Sequence, residues 1–369
     1  MSSMTGNKLK ISIFGESHGE GIGVVIDGLP SGFALDFDYI NQQMNRRLPG
    51  TNTLSTERKE KDEYKILSGL FEGKTTGTPL SAIIYNIDKK SDDYGERFKL
   101  RPGHSDYTGY IKYSSYNDYR GGGHFSGRLT APLLFAGALA MQILESKGIL
   151  IGSRIKSIYN INDDDIENMD ADTIKNLRSM SFPVISKEKG ALMTKNILEQ
   201  KEKGNSLGGI VETFIINVPA GYGEPFFDSL ESKMAHMIFS IPGVKGIEFG
   251  AGFDITTLTG KEANDEFYVA NHKIITVTNN NGGVLGGITN GMPIVIKTAI
   301  KPTPSIWQPQ NTVDISSMEN TVVNIKGRHD PCIVPRVVAV LEGACALVLL
   351  DLIMERDGEN WNLIRQEQK

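Results

Sequence analysis

Two long stretches of small and apolar residues constrain the fold of this chain more than any other feature. Residues 131–146 and 335–352 each predict a helix that is apolar around its whole circumference. A helix without a polar face has to be covered by other elements, and helices of this kind usually lie against a sheet. The longest apolar run, 337–350, contains Glu342 and is shorter than the ~20 residues that a bilayer requires, so we expect core helices.

A loop rich in Gly, Arg and His leads directly into each of these helices. RGGGHFSGR (120–128) precedes the first helix, and GRHDPC (327–332) precedes the second. The first turn of a helix has free backbone N–H groups and the positive end of the helix dipole. Beside basic side chains, this arrangement favours the binding of an anion.

The rest of the chain predicts several strands and fewer helices. Apolar patterns predict strands at 10–14, 21–27, 63–71, 79–85, 208–219, 245–253, 273–277 and 291–300. Helical patterns lie at 227–239 and at 36–47, where Asp36 or Asp38 would cap the first turn. We expect a long structured loop at 91–120, and exposed helices and loops with solvent-facing charges in the polar segment 160–205.

Composition argues against several classes of protein. A net charge of −5 and a pI of about 5.8 argue against nucleic acid as a partner, because phosphate backbones select clustered positive charge. Two cysteines, Cys332 and Cys345, are too few for a disulfide framework or a Cys-rich zinc site. Residues 1–19 lack the apolar core of a signal peptide, so we expect a cytoplasmic protein. The length of 369 residues allows one large domain or two of average size.

Four of the six histidines lie in loops rich in Gly or Pro, and they suggest acid–base chemistry. They are His18 in GESHG, His104 in RPGHSD, His124 in GGGHFSG and His329 in GRHDP. A single loop histidine is most often a hydrogen-bonded structural residue, but several beside Gly and Arg favour a site for proton transfer. The sequence has no HExxH motif and no histidine pair at i and i+4, so we expect no catalytic metal.

Loop arginines and nearby hydroxyl groups predict a small polyanionic ligand. Arginine binds phosphate and carboxylate through its planar fork of donors. In KPTPS, Lys301 adds a positive charge, and Thr303 and Ser305 add hydroxyl groups. Asp330 adds a carboxylate that can act as a base. The residues alone therefore predict an enzyme acting on a small phosphorylated and carboxylated substrate, bound by loop arginines at Arg47, Arg101, Arg120, Arg128 and Arg328.

Three common motifs for phosphate or nucleophilic chemistry are incomplete or missing in the sequence. GKTTG (73–77) resembles a P-loop, but the first glycine of that motif would fall on Ser68, so we expect a turn between two strands. No GxGxxG follows a strand and opens a helix, which argues against a dinucleotide-binding fold. Ser17 lies outside any GxSxG elbow, and we expect the neighbouring side chains of Ser17 and His18 to diverge.

Eight blocks, spread in order over almost the whole chain, resemble the chorismate synthase family. The blocks are FGESHG (14–19), RRLPGT (46–51), RPGHSDYTG (101–109), YRGGGHFSGR (119–128), VKGIEFGAGF (244–253), NNNGGVLGGITNG (279–291), IKPTPSI (300–306) and GRHDPC (327–332). The resemblance implies an α+β fold, a β-α-β sandwich with long apolar helices buried between sheets. It also implies a homotetramer and a single domain over residues 1–369, in which 160–205 is a more variable segment.

The same resemblance implies a lyase of the shikimate pathway, in aromatic amino-acid biosynthesis. The family converts 5-enolpyruvylshikimate 3-phosphate to chorismate and phosphate by an anti-1,4-elimination. The reaction requires reduced FMN, although it has no net redox change. The cofactor carries the difficult step, while the protein orients and tunes it.

Individual residues match positions with known roles in the family. His18 resembles the acid that protonates the departing phosphate, His104 the residue that protonates reduced flavin, and Asp330 the carboxylate that assists deprotonation at flavin N5. The matching substrate-side positions are Ser17, Arg47, Arg101, Ser126, Arg128 and Arg328. The matching flavin contacts are Arg47, His124, Phe125, Ser126, Pro242, Gly243, Gly286, Lys301, Pro302, Thr303, Pro304, Ser305 and Arg328.

At several places the chain departs from the family pattern. His124 stands where the family usually has Arg, Phe125 replaces a Ser, and Pro242 and Gly243 replace an Asn-Ala pair. Thr53 aligns with a second Arg near a proposed NADPH contact. We therefore expect NADPH to be a poor reductant on this chain, and an external flavin reductase to supply reduced FMN.

Three other functions stay open from the residues alone. A small-anion binding protein would keep its function after substitution of His18 and His104, and the loop histidines disfavour it. A flavin oxidoreductase would consume NAD(P)H in proportion to product, and the missing dinucleotide motif disfavours it. A phosphatase would release phosphate without forming a conjugated diene, and the missing nucleophile motif disfavours it.

Overall fold

The computed structural model describes residues 3–48, 62–87, 97–166, 169–325 and 329–358, which form a mixed α+β fold. The helices are α1 Phe37–Arg47, α2 Asp106–Lys112, α3 Thr130–Glu145, α4 Ala171–Ser179, α5 Lys187–Glu202, α6 Leu230–Phe239, α7 Gly260–Ala263 and α8 Val334–Asp357. The strands are β1 Met4–Thr5, β2 Lys10–Gly15, β3 Gly21–Asp27, β4 Tyr64–Ser68, β5 Leu70–Phe71, β6 Lys74–Thr75, β7 Leu80–Tyr85, β8 Leu150–Ile158, β9 Ile161–Asn162, β10 Gly209–Ile216, β11 Val244–Phe249, β12 Phe267–Ala270, β13 Lys273–Thr276, β14 Val284–Leu285, β15 Ile288–Thr289, β16 Ile294–Ile300, β17 Gln310–Asp314 and β18 Glu319–Val323.

Two five-stranded antiparallel sheets form the framework of the fold. The first has the strand order β1-β2-β3-β7-β4, and the second has the order β11-β16-β10-β8-β9. In the first sheet, β2 and β3 pair from Lys10 opposite Asp27 to Gly15 opposite Ile22. In the second sheet, β10 lies between β8 and β16, with Phe214 opposite both Gly152 and Val295. In β7 and β16 apolar side chains alternate toward the core, as expected for strands covered on one face, whereas β8 and β10 are buried along almost their whole length.

The two long apolar helices, α3 and α8, lie against each other in the core. α3 also contacts β3 and β7 of the first sheet, and α8 contacts β8 and β10 of the second. Where the helices meet, Gly137 and Gly343 are in backbone contact, so a Cβ atom on Gly137 would overlap Gly343. Both helices are long and apolar enough to cross a membrane, yet 94% of the first and 100% of the second lie inside the protein. They are core helices, as predicted.

Most of the predicted helices and strands are present with small changes at their ends. α1 begins after Asp36, whose side chain accepts a hydrogen bond from the Tyr39 backbone N–H at 3.0 Å. This contact settles the choice between the two candidate caps. α8 begins at Val334, so Pro335 lies in the first turn, where its missing N–H has no cost. GKTTG is only partly the expected turn between two strands, because Gly73 lies in a turn but Lys74–Thr75 form β6, which pairs with β5.

Two predictions of local structure are wrong, and one strand is not predicted. Residues 63–71 form two strands, β4 and β5, because the chain turns at Gly69 with a φ of +79°. The segment 91–120 is not only loop, since it contains α2. β8 is missing from the sequence prediction although it is a central strand. Its nine residues are almost all buried, so they lack the alternation that reveals a half-exposed strand.

The acidic run 163–165 does not face the solvent as a whole. Asp163 is 4% exposed, and its carboxylate accepts hydrogen bonds from the Ile185 and Ser186 N–H groups at 2.7 and 2.9 Å. It also pairs with Arg154 of β8, which is itself buried and bonded to Glu212 at 2.7 Å. A buried guanidinium group requires carboxylate partners. This pair therefore attaches the polar segment to the second sheet.

Candidate active site

A cavity of about 570 Å³ lies where the loops before α3 and α8 come together. Ser126, Gly127 and Arg128 line it from the first loop, and His329 and Asp330 line it from the second. The sequence predicts an anion site at each helix start, and the fold places both starts on one cavity. The site is therefore built by the buried helix pair.

Most of the predicted site residues line this cavity, and a few do not. Ser17 and His18 lie behind Gly121 instead of on the wall, and Gly286 lies in the β14–β15 hairpin, away from the cavity lining. Arg328 and Thr53 lie outside the described residues. The predicted residues on the wall are Arg47, Arg101, His104, His124, Phe125, Ser126, Arg128, Pro242, Gly243, Lys301, Pro302, Thr303, Pro304, Ser305 and Asp330.

Two of the predicted arginines share one buried carboxylate. Arg47 and Arg128 each donate to a different oxygen of Asp62, and Arg47 Nε also donates to Thr130 Oγ1 at 2.8 Å. Burial alone raises the pKa of Asp62, but the two guanidinium groups outweigh it and hold the pKa below its usual range. Burial lowers the pKa of Arg47 to about 10, although Asp62 opposes this. One carboxylate cannot neutralise two cations, so positive charge remains at this side of the cavity.

His104 is held by a carboxylate that the sequence analysis did not single out. Asp106 Oδ1 lies 2.7 Å from His104 Nδ1. The same carboxylate accepts hydrogen bonds from Arg101 Nε at 2.8 Å and from Arg101 Nη2 at 2.6 Å. Arg101, predicted to contact substrate, thus directs two guanidinium nitrogens to Asp106. The signal was present in the spacing of RPGHSD, but a carboxylate two residues after a histidine occurs too often to be diagnostic.

Three successive glycines bring both histidines to the first loop. Gly121, Gly122 and Gly123 have φ angles of +58°, +88° and +53°, which L side chains rarely adopt. A Cβ on Gly121 would overlap the His18 ring, and a Cβ on Gly122 would lie 3.2 Å from His104 Nε2. The two rings therefore lie against adjacent residues of one loop. No Cβ atom stands between this backbone and either ring.

Ser17 and His18 are closer than the sequence analysis expects. The Ser17 hydroxyl oxygen lies 3.3 Å from His18 Nδ1 and donates to the Arg120 carbonyl oxygen at 3.2 Å. The expectation that these neighbouring side chains diverge is wrong, because the β2 strand ends at Gly15 and the chain turns sharply after it. His18 is 8% exposed, so its ring is largely enclosed.

Asp330 is paired with an arginine that the sequence analysis missed. Arg336 Nη1 donates to Asp330 Oδ2, and Arg336 Nε donates to the Arg47 carbonyl oxygen at 2.9 Å. Arg336 lies in an apolar helical stretch, where its basic side chain gives no sign that it faces a cavity. The ion pair fixes the direction of the Asp330 carboxylate at the start of α8.

The two unusual residues of the first loop have specific partners. His124 Nδ1 lies 2.8 Å from the Gly15 carbonyl oxygen, and His124 Nε2 lies 3.1 Å from Ser3 Oγ. The Phe125 ring packs on α2 at Gly109, where a Cβ atom would come within 2.9 Å of it. Phe125 therefore fits because α2 has a glycine at the contact.

The KPTPS segment presents polar groups to the cavity opposite an apolar wall. Lys301 Nζ donates to the Gly103 carbonyl oxygen at 2.5 Å, and burial, with a smaller contribution from Lys245, lowers the pKa of Lys301. The buried Thr303 Oγ1 finds no hydrogen-bond partner within the part of the chain that the structure describes. The apolar wall is formed by Ile241, Ile333, Val337 and Val340. A buried hydroxyl, cations and an apolar face suit a phosphorylated aromatic cofactor such as the FMN that the resemblance implies.

A metal site does not emerge from the described ranges. Within them, no group of three or more His, Cys, Asp or Glu side chains is placed to hold a metal ion.

Comparison with known proteins supports the resemblance over nearly the full length. Residues 9–354 match the family described as chorismate synthase. A chorismate synthase of Pyrococcus abyssi is 45% identical over 357 residues, covering 96% of this chain and 98% of that protein. A chorismate synthase of Methanosphaera stadtmanae is 44% identical over 353 residues, covering 95% of this chain and 96% of that protein. A crystal structure of a chorismate synthase superposes with a TM-score of 0.75 at 29% identity, covering 96% of this chain and 94% of the other.

Proposed function

The chain belongs to the chorismate synthase family, and on that premise we propose that the cavity between the starts of α3 and α8 is its active site. The chain is a lyase of the shikimate pathway that converts 5-enolpyruvylshikimate 3-phosphate to chorismate and phosphate. One observation carries the assignment of the site. Both helix starts, His104 and Asp330 converge on a single cavity.

The substrate binds, in this proposal, at the basic side of the cavity. It carries one phosphate and two carboxylates, so its site needs more positive than negative charge. Arg47 and Arg128 share only the carboxylate of Asp62, which leaves excess positive charge for the substrate. Arg336 is paired with Asp330, so these two residues together add no net charge. When the bound substrate displaces water from these groups, the local dielectric constant falls and their attraction for the substrate increases.

The cofactor in this proposal is reduced FMN, which the family generally uses. Lys301 and Lys245 can pair with its phosphate, the hydroxyl of Thr303 can bond to its polar groups, and Ile333 and Val337 can cover its ring system. When bound, reduced FMN supplies electron density to the allylic system from which phosphate departs. We assign His124, Phe125, Ser126, Pro242, Gly243, Pro302, Pro304 and Ser305 to the same binding region because they line the cavity.

Three side chains handle protons in the proposed site. His18, behind Gly121, donates a proton to the departing phosphate, and Ser17 supports its ring at Nδ1. His104 holds a proton at Nε2, on the ring edge that lies against Gly122. Asp330, oriented by Arg336, accepts a proton on the other side of the cavity. Gly286 and Arg328 keep the roles that the family resemblance assigns.

Further features of the family are part of the proposal for this chain. We propose that its two sheets and the helices between them are the β-α-β sandwich of the family, formed as one domain. We also propose a cytoplasmic homotetramer, and reduction of FMN by an external flavin reductase instead of by NADPH on this chain. The last point follows from Thr53 at the position of an arginine in other members.

An anaerobic assay tests the proposed function. Protein, photoreduced FMN and 5-enolpyruvylshikimate 3-phosphate are mixed, and chorismate and phosphate are followed together. We expect equal release of both products with reduced FMN and none with oxidised FMN. Phosphate without chorismate would indicate a phosphatase and would contradict the proposal.

A variant pair links the activity to the cavity. His104→Gln removes the exchangeable proton at the cavity, and turnover should fall by about 10²–10⁴-fold. His236→Gln changes a histidine of α6 outside the cavity lining and should leave turnover unchanged. Equal activity of the two variants would place the chemistry elsewhere.

A further inference from the structure

We propose that Asp106 is a positioning residue for His104, fixing the imidazole ring so that Nε2 is the atom that exchanges a proton in the cavity. The proposal deepens the assignment of the cavity as the active site and rests on it. Asp106 itself does not line the cavity, so its effect passes through His104.

The hydrogen-bond geometry determines which ring nitrogen carries the fixed proton. Asp106 Oδ1 lies 2.7 Å from His104 Nδ1, and an ionised carboxylate can only accept. Nδ1 must therefore be the donor, with its hydrogen held on the side away from the cavity. The exchangeable position is then Nε2, on the edge of the ring beside Gly122. Such a partner fixes both the tautomer and the ring direction of a functional histidine.

Arg101 keeps the carboxylate charged and immobile. The Arg101 backbone N–H and Nε donate to Asp106 Oδ2 at 3.0 and 2.8 Å, and Nη2 donates to Oδ1 at 2.6 Å. Burial alone would raise the pKa of Asp106, but the hydrogen bonds from Arg101 and His104 hold it well below its usual range. Asp106 is thus a permanent acceptor at neutral pH. Arg101 acts on the chemistry through this carboxylate.

A similar pair elsewhere in the chain shows what is specific to Asp106. Asp118 accepts from the Arg120 backbone N–H at 3.1 Å, from Arg120 Nε at 2.9 Å and from Arg120 Nη2 at 2.8 Å. This bidentate ion pair closes a loop at the surface, where the Arg120 side chain is 43% exposed. An Asp–Arg pair with this geometry can therefore have a purely structural role. What distinguishes Asp106 is its additional bond to a histidine on the cavity wall.

The surrounding fold holds the pair in place. Asp106 is the first residue of α2, and the His104 N–H donates to the Arg101 carbonyl oxygen at 3.2 Å. α2 is packed against the first loop by Phe125, whose ring contacts Gly109. The carboxylate therefore lies between two anchored segments. The backbone on both sides of the contact is held in place, which limits how far the carboxylate can move relative to the His104 ring.

The first test reads the tautomer of His104 in the unmodified full-length protein. The protein is labelled with ¹⁵N-histidine, and long-range ¹H–¹⁵N spectra are recorded with and without FMN. His104→Gln identifies the His104 signals among those of the six histidines. We expect neutral His104 to carry its hydrogen at Nδ1, opposite to the preference of free histidine. A predominant Nε2–H form would overturn the proposal, whatever any variant does.

The second test separates positioning from binding. Asp106→Asn should shift the His104 tautomer and lower kcat at least about tenfold, within the ~10²–10⁴-fold that proton transfer contributes, while KM changes less than about threefold. Asp170→Asn is the control, because Asp170 caps α4 at the surface and Asn caps equally well. Unchanged kcat in Asp106→Asn, or a rise in KM alone, would overturn the proposal.

The two tests keep this proposal apart from the proposed function. If the unmodified protein forms no chorismate, the proposed function fails, and the tautomer of His104 still reports on Asp106. If Asp106→Asn does not fold, the spectrum of the unmodified protein decides.

Discussion

Asp62 and Arg47 form an ion pair that is almost wholly buried at the wall of the cavity, with side chains 1% and 3% exposed. Arg128 binds the other oxygen of the same carboxylate. The pair joins the segment before the first sheet's β4 to the end of α1. The Asp62 carboxylate therefore holds α1 beside β4 and also partly neutralises the two arginines at the cavity.

Removal of the Asp62 carboxylate should destabilise the protein strongly. Asp62→Ala leaves two largely buried guanidinium groups without a counter-ion, and the free energy of unfolding should fall by about 3–5 kcal/mol. Asp118→Ala removes a carboxylate from a more exposed pair and should cost less than about 1 kcal/mol. Urea denaturation at one protein concentration measures both. Similar losses in the two variants would show that the Asp62 pair is not buried as described.

Substitution of Gly121 should impair turnover through His18. A Cβ at this position overlaps the His18 ring, and φ is +58°. Gly121→Ala is therefore expected to displace His18. The main effect should be a lower kcat, with a smaller effect on the free energy of unfolding. Gly73→Ala is the control, because its φ is +74° but no atom lies within 4 Å of the added Cβ. Gly73→Ala has the same backbone strain but no overlap with a neighbouring side chain, so it should keep full activity. Full activity in Gly121→Ala would argue against a role for His18.

The acid stability of the protein should depend on Asp106. Its pKa is lower in the folded protein than the ordinary value of 3.8, so the carboxylate stabilises the fold above that pH. This contribution is lost as the pH falls below about 4 toward the lowered pKa, where the folded protein must take up the proton. Urea denaturation between about pH 3 and pH 7 should therefore show a shallower acid loss in Asp106→Asn. Parallel curves for variant and unmodified protein would contradict the lowered pKa.

Both thiols should be inert in the folded protein. Cys332 and Cys345 are buried and free, and burial raises the pKa of each to about 12. The thiolate is the reactive form, so alkylation by iodoacetamide at pH 8 should be far slower than for an exposed cysteine. Addition of urea should raise the rate in parallel with unfolding. Rapid alkylation without denaturant would mean that the core around α8 opens readily.

NADPH should not reduce FMN efficiently on this chain. The expectation follows from Thr53, which aligns with an arginine of the family near a proposed NADPH contact. Protein, NADPH and FMN are incubated in the dark without oxygen, and the loss of flavin absorbance is recorded. Thr53→Arg provides the matched gain-of-function variant and should speed the reduction. Efficient reduction by the unmodified protein would show that no external reductase is needed.

Local patterns in the sequence were sufficient to predict the buried helices and to mark the loops before them as binding loops. The apolar composition of 131–146 and 335–352 requires burial, and the glycine and arginine content of the preceding loops indicates a binding site. The alternation in β3 and β16 likewise shows which face meets the core. These features arise from residues close together in the chain, where periodicity carries information.

The partners of the site residues could not be predicted in the same way. Asp62 meets Arg128 across 66 positions, whereas Asp163 follows β9 and lies nine residues from Arg154 of β8. Arg336 lies in an apolar helix but reaches Asp330 at the cavity. The first pair depends on how distant elements pack, and the other two depend on which way the side chains of a hairpin and of a helix start turn, which residue spacing alone does not specify. Sequence resemblance therefore provided candidate acid–base groups, but not the residues that orient them.

The backbone contact between Gly137 and Gly343 sets how closely α3 and α8 approach each other. Gly137 lies about 10 Å along α3 from its first residue, and Gly343 lies about 14 Å along α8 from its own. A Cβ atom at Gly137 would push the two helices apart, and their first turns, which line the cavity, would separate with them. Two residues outside the cavity lining thus determine how far apart the two helix starts lie.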